Sequence, residues 1–270
     1  MASFYIFYNM NKKSYKIIVN LFYQPVDELK KYLIEHKDVL IPILGGSITN
    51  PLKNDEWVKN NCLFDDTGDN ISDLNKNINE MTTIYWAWKH YDEIGNPEYM
   101  GFNHYRRFFD LETVNKEINE NNVDLICKNP DLIRVGIIKH YELCHVKEDY
   151  EKLAAYMKKK FFDKEHNNWY DEFVSMSNGL YLYGCNMFVM RKEIFFEYCQ
   201  FMFPILADII PIINVSGRDN YQKRAVSFLS ERLTSLFIMR VMKDGYRIKP
   251  LPIDFKKEWK NNNFNERGTY

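Results

Sequence analysis

Three segments near the start of the chain decide the fold: YKIIVNLFY (residues 15–23), DELKKYLIEH (27–36) and VLIPIL (39–44). The first and third are continuous apolar runs rich in β-branched and aromatic residues, which is typical of buried strands, and the second has the length of a short helix. The third segment runs into Gly45-Gly46. A strand, a helix and a strand in succession predict a mostly parallel sheet with helices on its faces. Ligands of such sheets bind beyond the carboxyl ends of the strands.

The rest of the chain continues this alternation. Further strands are predicted at residues 99–104, 123–127 and 184–190. Helices are predicted where apolar residues recur at three- and four-residue steps. These segments are residues 74–88, which follow the turn-rich loop DDTGDNIS, and residues 150–161, 191–206 and 220–243. We find no internal repeat and no linker, so we predict one α/β domain at residues 1–255 and a polar tail at residues 256–270.

Composition narrows the classes of function. The 270-residue chain has a formal net charge of −1, which argues against the strong basic excess of a nucleic-acid-binding face. Its five cysteines are scattered, with no CxxC pair, and this favours a reducing cytoplasm over a disulfide framework. No secretory leader is evident after Met1. The most apolar stretch, residues 201–215, is shorter than the ~20 residues of a spanning helix, so we expect a soluble protein.

The segment HYRR (residues 104–107) follows a predicted strand. Two adjacent arginines suit a phosphate group there, since a guanidinium donates two parallel hydrogen bonds to phosphate oxygens. When a nucleoside diphosphate leaves a sugar, negative charge develops on the β-phosphate, and fixed cations stabilise that transition state. The alternative is that Arg106 and Arg107 are surface residues paired with Asp110 and Glu112. Spacing alone leaves both interpretations open.

Glu231 is the first candidate for a catalytic carboxylate. It belongs to a polar stripe on the otherwise apolar helix predicted at residues 220–243, and the stripe consists of Asn220, Arg224, Ser227, Glu231, Thr234 and Ser235. A buried helix would direct this stripe into a polar cavity, since buried charges need partners. A carboxylate there would accept the proton of an acceptor hydroxyl. The alternative is a stripe that faces solvent, with Arg224 and Glu231 as an exposed pair. Asp219, just before the helix, is the second candidate base.

Four further residues are weaker candidates for substrate contacts. His140 and His145 suggest a zinc site, but no full ligand set is evident, so hydrogen bonding to substrate is preferred. Histidines in a polar surface turn are the alternative. Trp86 points away from the apolar stripe that includes Trp88, so we expect Trp88 in the core and Trp86 free to stack on a base or sugar. Asn186 lies in an apolar strand, where it contacts substrate or satisfies backbone groups.

Several motifs in one order also give the chain a family resemblance. DDTGDNIS (residues 65–72), EMTTIYWAWK (80–89), GFNHYRRFF (101–109) and CNMFVMRKEIFFEYC (185–199) resemble a bacterial family long catalogued as a domain of unknown function. That family is found among capsular, exopolysaccharide and O-antigen gene sets, and its members are regarded as glycosyltransferases with a GT-A-like fold. The resemblance runs from about residue 65 to residue 252. It implies a Rossmann-type α/β fold with a mixed, mostly parallel sheet flanked by helices.

The resemblance also assigns site residues. The positions that match the family's motifs are Asp69, Asn70, His104, Arg106 and Arg107. It implies that the two arginines neutralise the diphosphate, that His104 helps to position it, and that Asp69 and Asn70 contact donor nucleoside or sugar hydroxyls. A His-Tyr-x-x-x-His element matches at residues 140–145, and FLSERL (228–233), which contains Glu231, resembles the family's FLAERL segment.

The chain departs from the expected patterns at two points. In the GT-A fold an Asp-x-Asp motif that holds a metal against the diphosphate normally follows the strand at residues 99–104, but here HYRR stands in its place. From this charge difference we predict a diphosphate site that requires no metal or other cofactor. A displaced Mn²⁺ or Mg²⁺ site at Asp65-Asp66 is the alternative, although carboxylates before a helix usually cap it. The family's Thr-His-Lys-like step after the first strand is replaced by NLFYQP (20–25).

The implied activity is transfer of a sugar from a UDP-hexose-type donor, UDP-galactofuranose included, to a bacterial surface polysaccharide. We expect the acceptor to be a lipid-linked oligosaccharide, and therefore a cytoplasmic protein that works peripherally at the inner face of the membrane. Short basic runs at residues 158–160 and 256–257 weakly favour an anionic membrane surface. The alternatives are a non-catalytic nucleotide- or glycan-binding subunit, and a nucleotide-sugar hydrolase or phosphotransferase, since paired arginines suit any diphosphate chemistry.

Overall fold

The apolar run at residues 15–23 forms a strand inside the central sheet, and helices cover both faces of it. In this computed structural model, residues 12–162 and 169–257 are described. Their strands, in chain order, are β1 (Tyr15–Leu21), β2 (Leu40–Leu44), β3 (Leu63–Phe64), β4 (Tyr99–His104), β5 (Arg107–Phe108), β6 (Leu125–Lys128), β7 (Asp131–Leu132), β8 (Tyr181–Leu182), β9 (Phe188–Arg191), β10 (Ile248–Leu251) and β11 (Asp254–Phe255). Ile18 packs into one core cluster and Ile17 into the other, as the continuous apolar pattern predicts.

The main sheet is mixed and mostly parallel. Its order is β10-β6-β9-β4-β1-β2-β3, with β5 and β11 added at the end of β4. Strands β1, β2, β3 and β4 run parallel, β9 runs antiparallel to β4 and β6, and β10 runs parallel to β6. The carboxyl ends of β1, β2, β4, β6 and β10 therefore meet at one edge with the beginning of β9. The predicted fold class is confirmed, and we refer to this side as the carboxyl edge.

Helices form a layer on each face of the sheet. They are α1 (Asp27–Glu35), α2 (Glu56–Asn61), α3 (Asn75–Ile78), α4 (Met81–Lys89), α5 (Leu111–Asn119), α6 (Ile137–Cys144), α7 (Lys147–Phe161), α8 (Trp169–Ser177), α9 (Lys192–Ile209) and α10 (Ala225–Lys243). The apolar residues of α1, α2 and α5 pack on one face, and those of α3, α4 and α6 to α10 pack on the other. The larger second layer covers the half of the sheet that contains β9 and β6.

The helix predicted at residues 74–88 is two helices. Asn79, between α3 and α4, has a φ of 47° and so leaves the right-handed helical region. Its side-chain amide donates to Ser227 Oγ on α10 at 3.1 Å. This break brings Glu80, the residue before α4, into contact with the polar side of α10, which the uninterrupted apolar stripe does not predict.

Helix α10 is buried on nearly all sides. Ser227, Thr234 and Ser235 on its polar stripe, and the neighbouring Ser230, are each no more than 2% exposed. The predicted central position is confirmed, and the alternative of a stripe that faces solvent is wrong. The stripe faces other polar side chains of the fold, because buried hydroxyls need hydrogen-bond partners.

Helix α9 extends the apolar segment predicted at residues 191–206. Pro204 lies inside the helix and does not end it. Within the described residues, Lys192–Ile212 is long and apolar enough to cross a membrane by length and composition alone, and half of its most apolar window is buried in the fold. Its buried side chains pack in the same core cluster as those of α10.

Asp65 fixes the loop after β2. Its two carboxylate oxygens accept hydrogen bonds from the backbone amides of Gly46 and Ser47 at 2.8 and 2.9 Å and from the hydroxyls of Ser47, Ser72 and Thr82. Gly46 has a φ of 63°, and a Cβ there would lie 2.9 Å from the Asn75 side chain, so the turn requires glycine. Asp65 therefore stabilises the loop through these hydrogen bonds.

The C-terminal segment returns to the carboxyl edge. β11 pairs antiparallel with β5, and the Lys256 amide donates to the Arg106 carbonyl oxygen at 2.9 Å. The predicted tail, residues 256–270, lies outside the described residues from 258 onward. The prediction of a single domain at residues 1–255 stays a prediction.

Candidate functional site

Six polar side chains come together at the carboxyl edge, and we call them the polar cluster. They are Glu80, His104, Arg107, Asn186, Arg224 and Glu231. They come from four places in the sequence: the break between α3 and α4, the end of β4, the turn before β9, and the start of α10. Sheet topology brings them together, since β4 and β9 are adjacent and α10 packs against α3.

His104 holds the turn before β9. Its Nε2 lies 2.6 Å from the carbonyl oxygen of Cys185, and a carbonyl only accepts, so Nε2 carries the hydrogen. Burial, followed by the charge of Arg107, lowers the pKa of His104 to about 4. The ring is therefore neutral near pH 7 and does not add to the positive charge of the site. Cys185 and Asn186, with φ values of 72° and 47°, form a strained turn that this hydrogen bond supports.

The structure separates the two predicted phosphate ligands. Arg106 is 3% exposed, and its guanidinium lies 5.0 Å from the ring centre of Tyr105 and 5.3 Å from that of Phe255. Arg107 is half-buried, and its guanidinium lies 4.9 Å from the Phe255 ring. The positive charge of Arg107 acts on Glu80 and His104. Arg107 therefore faces the polar cluster, and Arg106 lies beneath it.

The predicted alternative partner of the arginines is engaged elsewhere. Asp110 accepts hydrogen bonds from the Thr113 amide at 2.8 Å and the Thr113 hydroxyl at 2.6 Å, and so caps α5. Over residues 12–162 and 169–257, Arg107 forms no side-chain ion pair. Its charge is thus available at the carboxyl edge.

Asn186 ties Glu80 to α10. Its amide nitrogen donates to Glu80 Oε1 at 2.7 Å and to Ser230 Oγ at 3.1 Å, and its amide oxygen accepts from Thr234 Oγ1 at 2.7 Å. Burial raises the pKa of Glu80, while the hydrogen bond from Asn186 and the charges of Arg224 and Arg107 lower it. Asn186 is fully engaged by the protein, so its main role here is to hold Glu80 and α10 together.

Glu231 lies beside a fully buried cation. Arg232 Nη1 donates to Glu231 Oε2 at 3.2 Å and to the Phe228 carbonyl oxygen at 2.8 Å, and Nη2 lies 3.4 Å from His140 Nδ1. Burial raises the pKa of Glu231 and the charge of Glu80 raises it further, whereas Arg232 and Arg224 lower it. The Glu231 side chain keeps 15% of its surface exposed. It combines access to a ligand with the unusual electrostatics typical of a general base.

A second carboxylate, that of Asp131, lies near Glu231 beside Gly184. A Cβ at position 184 would be 3.7 Å from Glu231 Oε2 and 3.7 Å from Asp131 Oδ2, so the two carboxylates are no more than twice that distance apart. Lys128, at the end of β6, donates to Asp131 Oδ1 at 2.6 Å. Asp131 is half-exposed and widens the polar rim around Glu231.

The two predicted histidines have different surroundings. His140 Nδ1 faces the Arg232 guanidinium, and burial with that charge lowers the pKa of His140. Its Nδ1 therefore accepts, and Nε2 carries the hydrogen. His145 is 7% exposed and stacks on Phe228, with 3.9 Å between ring centres. Burial lowers the pKa of His145 to about 3. His145 is a neutral ring inside the fold.

Two predicted donor ligands lie at the far end of α4. The side chain of Asp69 is 59% exposed, accepts from the Tyr85 hydroxyl at 2.9 Å, and lies 3.5 Å from Lys89 Nζ. Asn70 closes its own turn by donating to the Gly68 carbonyl oxygen at 2.9 Å. Since Lys89 ends α4 and Glu80 precedes it, Asp69 lies roughly 13 Å from the polar cluster along the helix.

Two other predicted residues have structural contacts. Trp86 is 2% exposed, donates from Nε1 to Thr67 Oγ1 at 2.8 Å and stacks on His90. The prediction of an outward-facing Trp86 and a buried Trp88 is wrong, because Trp88 is the more exposed ring. Asp219 is exposed and accepts from the Gln222 amide at 2.7 Å, so it caps the turn before α10.

An apolar pocket adjoins the polar cluster. It has a volume of about 410 Å³ and lies beyond the carboxyl ends of β1 and β2. Its lining residues are Phe22, Tyr23, Gln24, Thr49, Asn50, Pro51, Leu52, Ser72, Asp73, Asn75 and Lys76. Tyr23 contacts Tyr105 of the HYRR segment at 5.6 Å between ring centres, and α3 connects Asn75 to the Asn79–Glu80 break. A ligand with a flat group and a charged group would span the two.

Sequence reasoning did not single out Glu80 or the apolar pocket. Glu80 lies inside the motif EMTTIYWAWK, and the break at Asn79 that places it near α10 has no periodic signal in the sequence. Arg224 belongs to the predicted helical stripe and contributes a positive charge to the site. Asp131 and Lys128 follow a predicted strand, and the rule that ligands lie beyond strand ends points to them.

Comparisons with known proteins agree with this fold. Residues 26–243 match the family described as Domain of unknown function (DUF4422). Among solved structures, the chain is similar to the apo structure of the bifunctional glycosyltransferase WbbM, with a TM-score of 0.71 and 23% sequence identity over 90% of this chain and 45% of that one. The chain thus spans less than half of that protein, and the likeness shows a GT-A-like fold. No curated protein gives a significant sequence match.

Proposed function

We propose that this chain, which belongs to the DUF4422 family, is a glycosyltransferase that takes its sugar from a nucleoside diphosphate donor. The observation that carries the proposal is the pair Arg107 and Arg224, whose charges both act on the buried carboxylate of Glu80 at the carboxyl edge, while Arg224 also acts on Glu231. Within the described residues neither arginine forms a side-chain ion pair. A diphosphate between them would receive charge-assisted hydrogen bonds.

The position and lining of the apolar pocket support its assignment as the binding site for the donor's nucleoside. Phe22 and Tyr23 supply aromatic faces, and the exposed Asp73 and Lys76 supply polar groups around them. A base that stacks there would direct its diphosphate toward the neighbouring strand β4, because β1 and β4 are hydrogen-bonded side by side with Asn20 opposite His104.

The proposed reaction is an inverting displacement at the anomeric carbon. Glu231 accepts the proton of the acceptor hydroxyl, the hydroxyl oxygen bonds to the anomeric carbon, and the bond from that carbon to the β-phosphate oxygen breaks. The electron pair of the broken bond leaves with the nucleoside diphosphate, whose added negative charge Arg107 and Arg224 stabilise. Glu231 is preferred over Asp219 because Glu231 belongs to the polar cluster and lies beside Gly184, whereas Asp219 caps a surface turn.

The donor and acceptor are proposed from the family resemblance of the motifs. We propose a UDP-hexose donor, UDP-galactofuranose included, and a lipid-linked oligosaccharide of a bacterial surface polysaccharide as acceptor, with the reaction at the cytoplasmic face of the membrane. Two arginines at the diphosphate would supply the positive charge that a divalent cation provides in other GT-A enzymes, so we propose a metal-independent reaction. Arg107 and Arg224 lie on separate elements, which suits a clamp on both sides of the diphosphate.

Product analysis tests this proposal. The full chain is incubated with nucleotide sugars labelled in the sugar and with lipid-linked oligosaccharide acceptors, with and without chelator. Label in a lengthened oligosaccharide supports transfer. Free labelled sugar formed regardless of acceptor would identify a hydrolase, and donor binding without turnover would identify a binding subunit; either result contradicts the proposal. Activity that chelator abolishes and manganese restores would contradict metal independence.

A further inference from the structure

Four large apolar side chains are exposed on the two-stranded antiparallel ribbon that β7 forms with β8, and we call them the ribbon patch. They are Leu132, Val135, Leu180 and Tyr181, which are 51%, 55%, 45% and 57% exposed. Single exposed apolar residues are common on protein surfaces, but a contiguous group indicates an interaction site. These four lie on two segments that are hydrogen-bonded to each other, so they form one group.

The pairing of β7 with β8 holds the patch in place. Leu132 and Tyr181 are directly opposed in the β7–β8 pair, so their side chains lie on the same face. The Ile133 amide donates to the Leu180 carbonyl oxygen at 2.6 Å, which extends the pairing. Ile133 and Leu182 point inward and are buried in the core. Two anchored apolar residues thus support outward-facing ones, and the exposure is a property of the fold.

The composition of the patch suits the headgroup layer of a membrane. Leucine supplies apolar surface, and tyrosine combines an apolar ring with a polar hydroxyl, which suits the membrane–water interface. Tyr181 provides that hydroxyl here. Arg134, in the turn between Leu132 and Val135, is exposed. Across residues 12–162 and 169–257, Arg134 makes no ion pair with an acidic side chain. A free cation inside an apolar group attracts an anionic lipid phosphate.

The patch lies next to the polar cluster. Asp131, the residue before Leu132, lies close to Glu231, since both carboxylates are 3.7 Å from the position of a Cβ on Gly184. His140, on the helix that begins just after Val135, contacts Arg232 beside Glu231. A surface bound to the ribbon patch would therefore lie close to Glu231.

From these contacts we propose that the ribbon patch docks the protein on an anionic phospholipid surface, with Arg134 at the lipid phosphates and the four apolar side chains in the headgroup layer. The basic run at residues 158–160 is a different region. Lys147 at the start of α7 lies 3.9 Å from Glu142 of α6, whereas Lys158 is roughly 17 Å further along the helix. The proposed docking surface, unlike this basic run, lies close to Glu231, the proposed base.

Vesicle co-sedimentation tests this proposal without any need for enzyme activity. The full chain is mixed with vesicles of phosphatidylcholine alone and of phosphatidylcholine with phosphatidylglycerol. We expect binding to the anionic vesicles, at least about a tenfold loss in Leu132→Ser/Tyr181→Ser, and about a fivefold loss in Arg134→Gln. Ile34→Ser is the matched control, since Ile34 is 53% exposed on α1, and it should bind like the wild type.

Three results would overturn the docking proposal. The first is a wild type that does not bind anionic vesicles, and the second is a double variant that binds them as tightly as the wild type. Alternatively, sedimentation velocity would show a wild-type dimer that the double variant dissociates while vesicle binding stays unchanged, which would make the patch a contact between two copies of the chain. Circular dichroism of each variant confirms that the fold is retained. Loss of transferase activity plays no part in the test, so the proposed function and the docking proposal fail separately.

Discussion

Arg232 Nη1 lies 3.2 Å from Glu231 Oε2, so a fully buried guanidinium is paired with the carboxylate that borders Gly184. An arginine side chain keeps its positive charge in proteins. Its charge favours the ionised form of Glu231 against the effects of burial and of the nearby Glu80. The ion pair therefore affects both the stability of the core and the pKa of Glu231.

Substitution Glu231→Gln should abolish most turnover and leave donor binding intact. The amide keeps the shape of the side chain but cannot accept a proton, so we expect kcat to fall by about 10²- to 10⁴-fold with little change in donor affinity. Steady-state kinetics and calorimetry with the donor measure the two effects. Asp219→Asn is the control and should keep nearly full activity. A fully active Glu231→Gln enzyme would move the base to another residue.

Arg232→Met should cost stability in a way that depends on Glu231. Removal of one partner leaves the other charge buried, and such losses are about 3–5 kcal/mol. In the Glu231→Gln background no charge is left unpaired, so the cost of Arg232→Met should be smaller by about 1 kcal/mol or more. Urea unfolding of the four proteins measures this cycle. Equal costs in both backgrounds would show that the ion pair does not couple the two residues.

Arg107→Gln should weaken donor binding about tenfold, since a charge-assisted hydrogen bond contributes about 1.5–3 kcal/mol. The matched control is Arg247→Gln, because the side chain of Arg247 is 61% exposed and lies just before β10, at the opposite edge of the sheet. Titration calorimetry with a nucleoside diphosphate measures both. If the two variants bind equally well, Arg107 does not contact the diphosphate.

Phe22→Ala should weaken nucleotide binding if the apolar pocket receives the base. Stacking of a base on an aromatic ring contributes about 1–3 kcal/mol, which corresponds to a rise in Kd of about fivefold or more. Tyr246→Ala is the control, since Tyr246 is 40% exposed and Phe22 is 39% exposed. Affinity for the nucleoside diphosphate is the quantity to measure. An unchanged Kd in Phe22→Ala would place the base elsewhere.

His145 should make the fold sensitive to acid. Its pKa is lowered to about 3 in the folded state, from an ordinary value of 6.5, so its contribution to stability is present above pH 6.5 and is lost as the pH falls from about 6.5 toward 3. His145→Leu should reduce the loss of unfolding free energy between neutral pH and pH 4.5 by about 2 kcal/mol. Urea unfolding across this range measures it, with His36→Gln as control. A variant with the same pH profile as the wild type would exclude His145 as the cause.

Elements with long uninterrupted patterns were predictable from the sequence. The strand at residues 99–104 has the predicted bounds, and the apolar helix predicted near residues 220–243 is α10, because its position depends on its own composition. The break at Asn79 was not predictable, because Asn79 lies off the apolar stripe and does not interrupt its three- and four-residue spacing. The hydrogen bond from Asn79 to Ser227, a residue far away in the sequence, accounts for the kink.

The site was predictable only in part, because its residues are sorted by distant contacts. Arg106 and Arg107 are adjacent in the sequence and the Phe255 ring lies beside both guanidinium groups, but Arg106 also lies over the Tyr105 ring and is 3% exposed, whereas Arg107 is half-buried. Trp86 and Trp88 were assigned the wrong way round because Thr67 and His90 enclose Trp86 from a loop and a turn that the helical period does not include.

The most direct test of the central claim is a thermal-shift screen of nucleoside diphosphates and nucleotide sugars, run with chelator on the wild type and on Arg107→Gln. Ligand at about 100 times its Kd adds about 2.7 kcal/mol to the folded state, and each kcal/mol raises Tm by roughly 2–4 °C in a protein of this size. We expect a rise of several degrees with at least one nucleotide for the wild type and a clearly smaller rise for Arg107→Gln. If no nucleotide raises the Tm of the wild type, or if both proteins respond equally, the polar cluster is not a nucleoside diphosphate site.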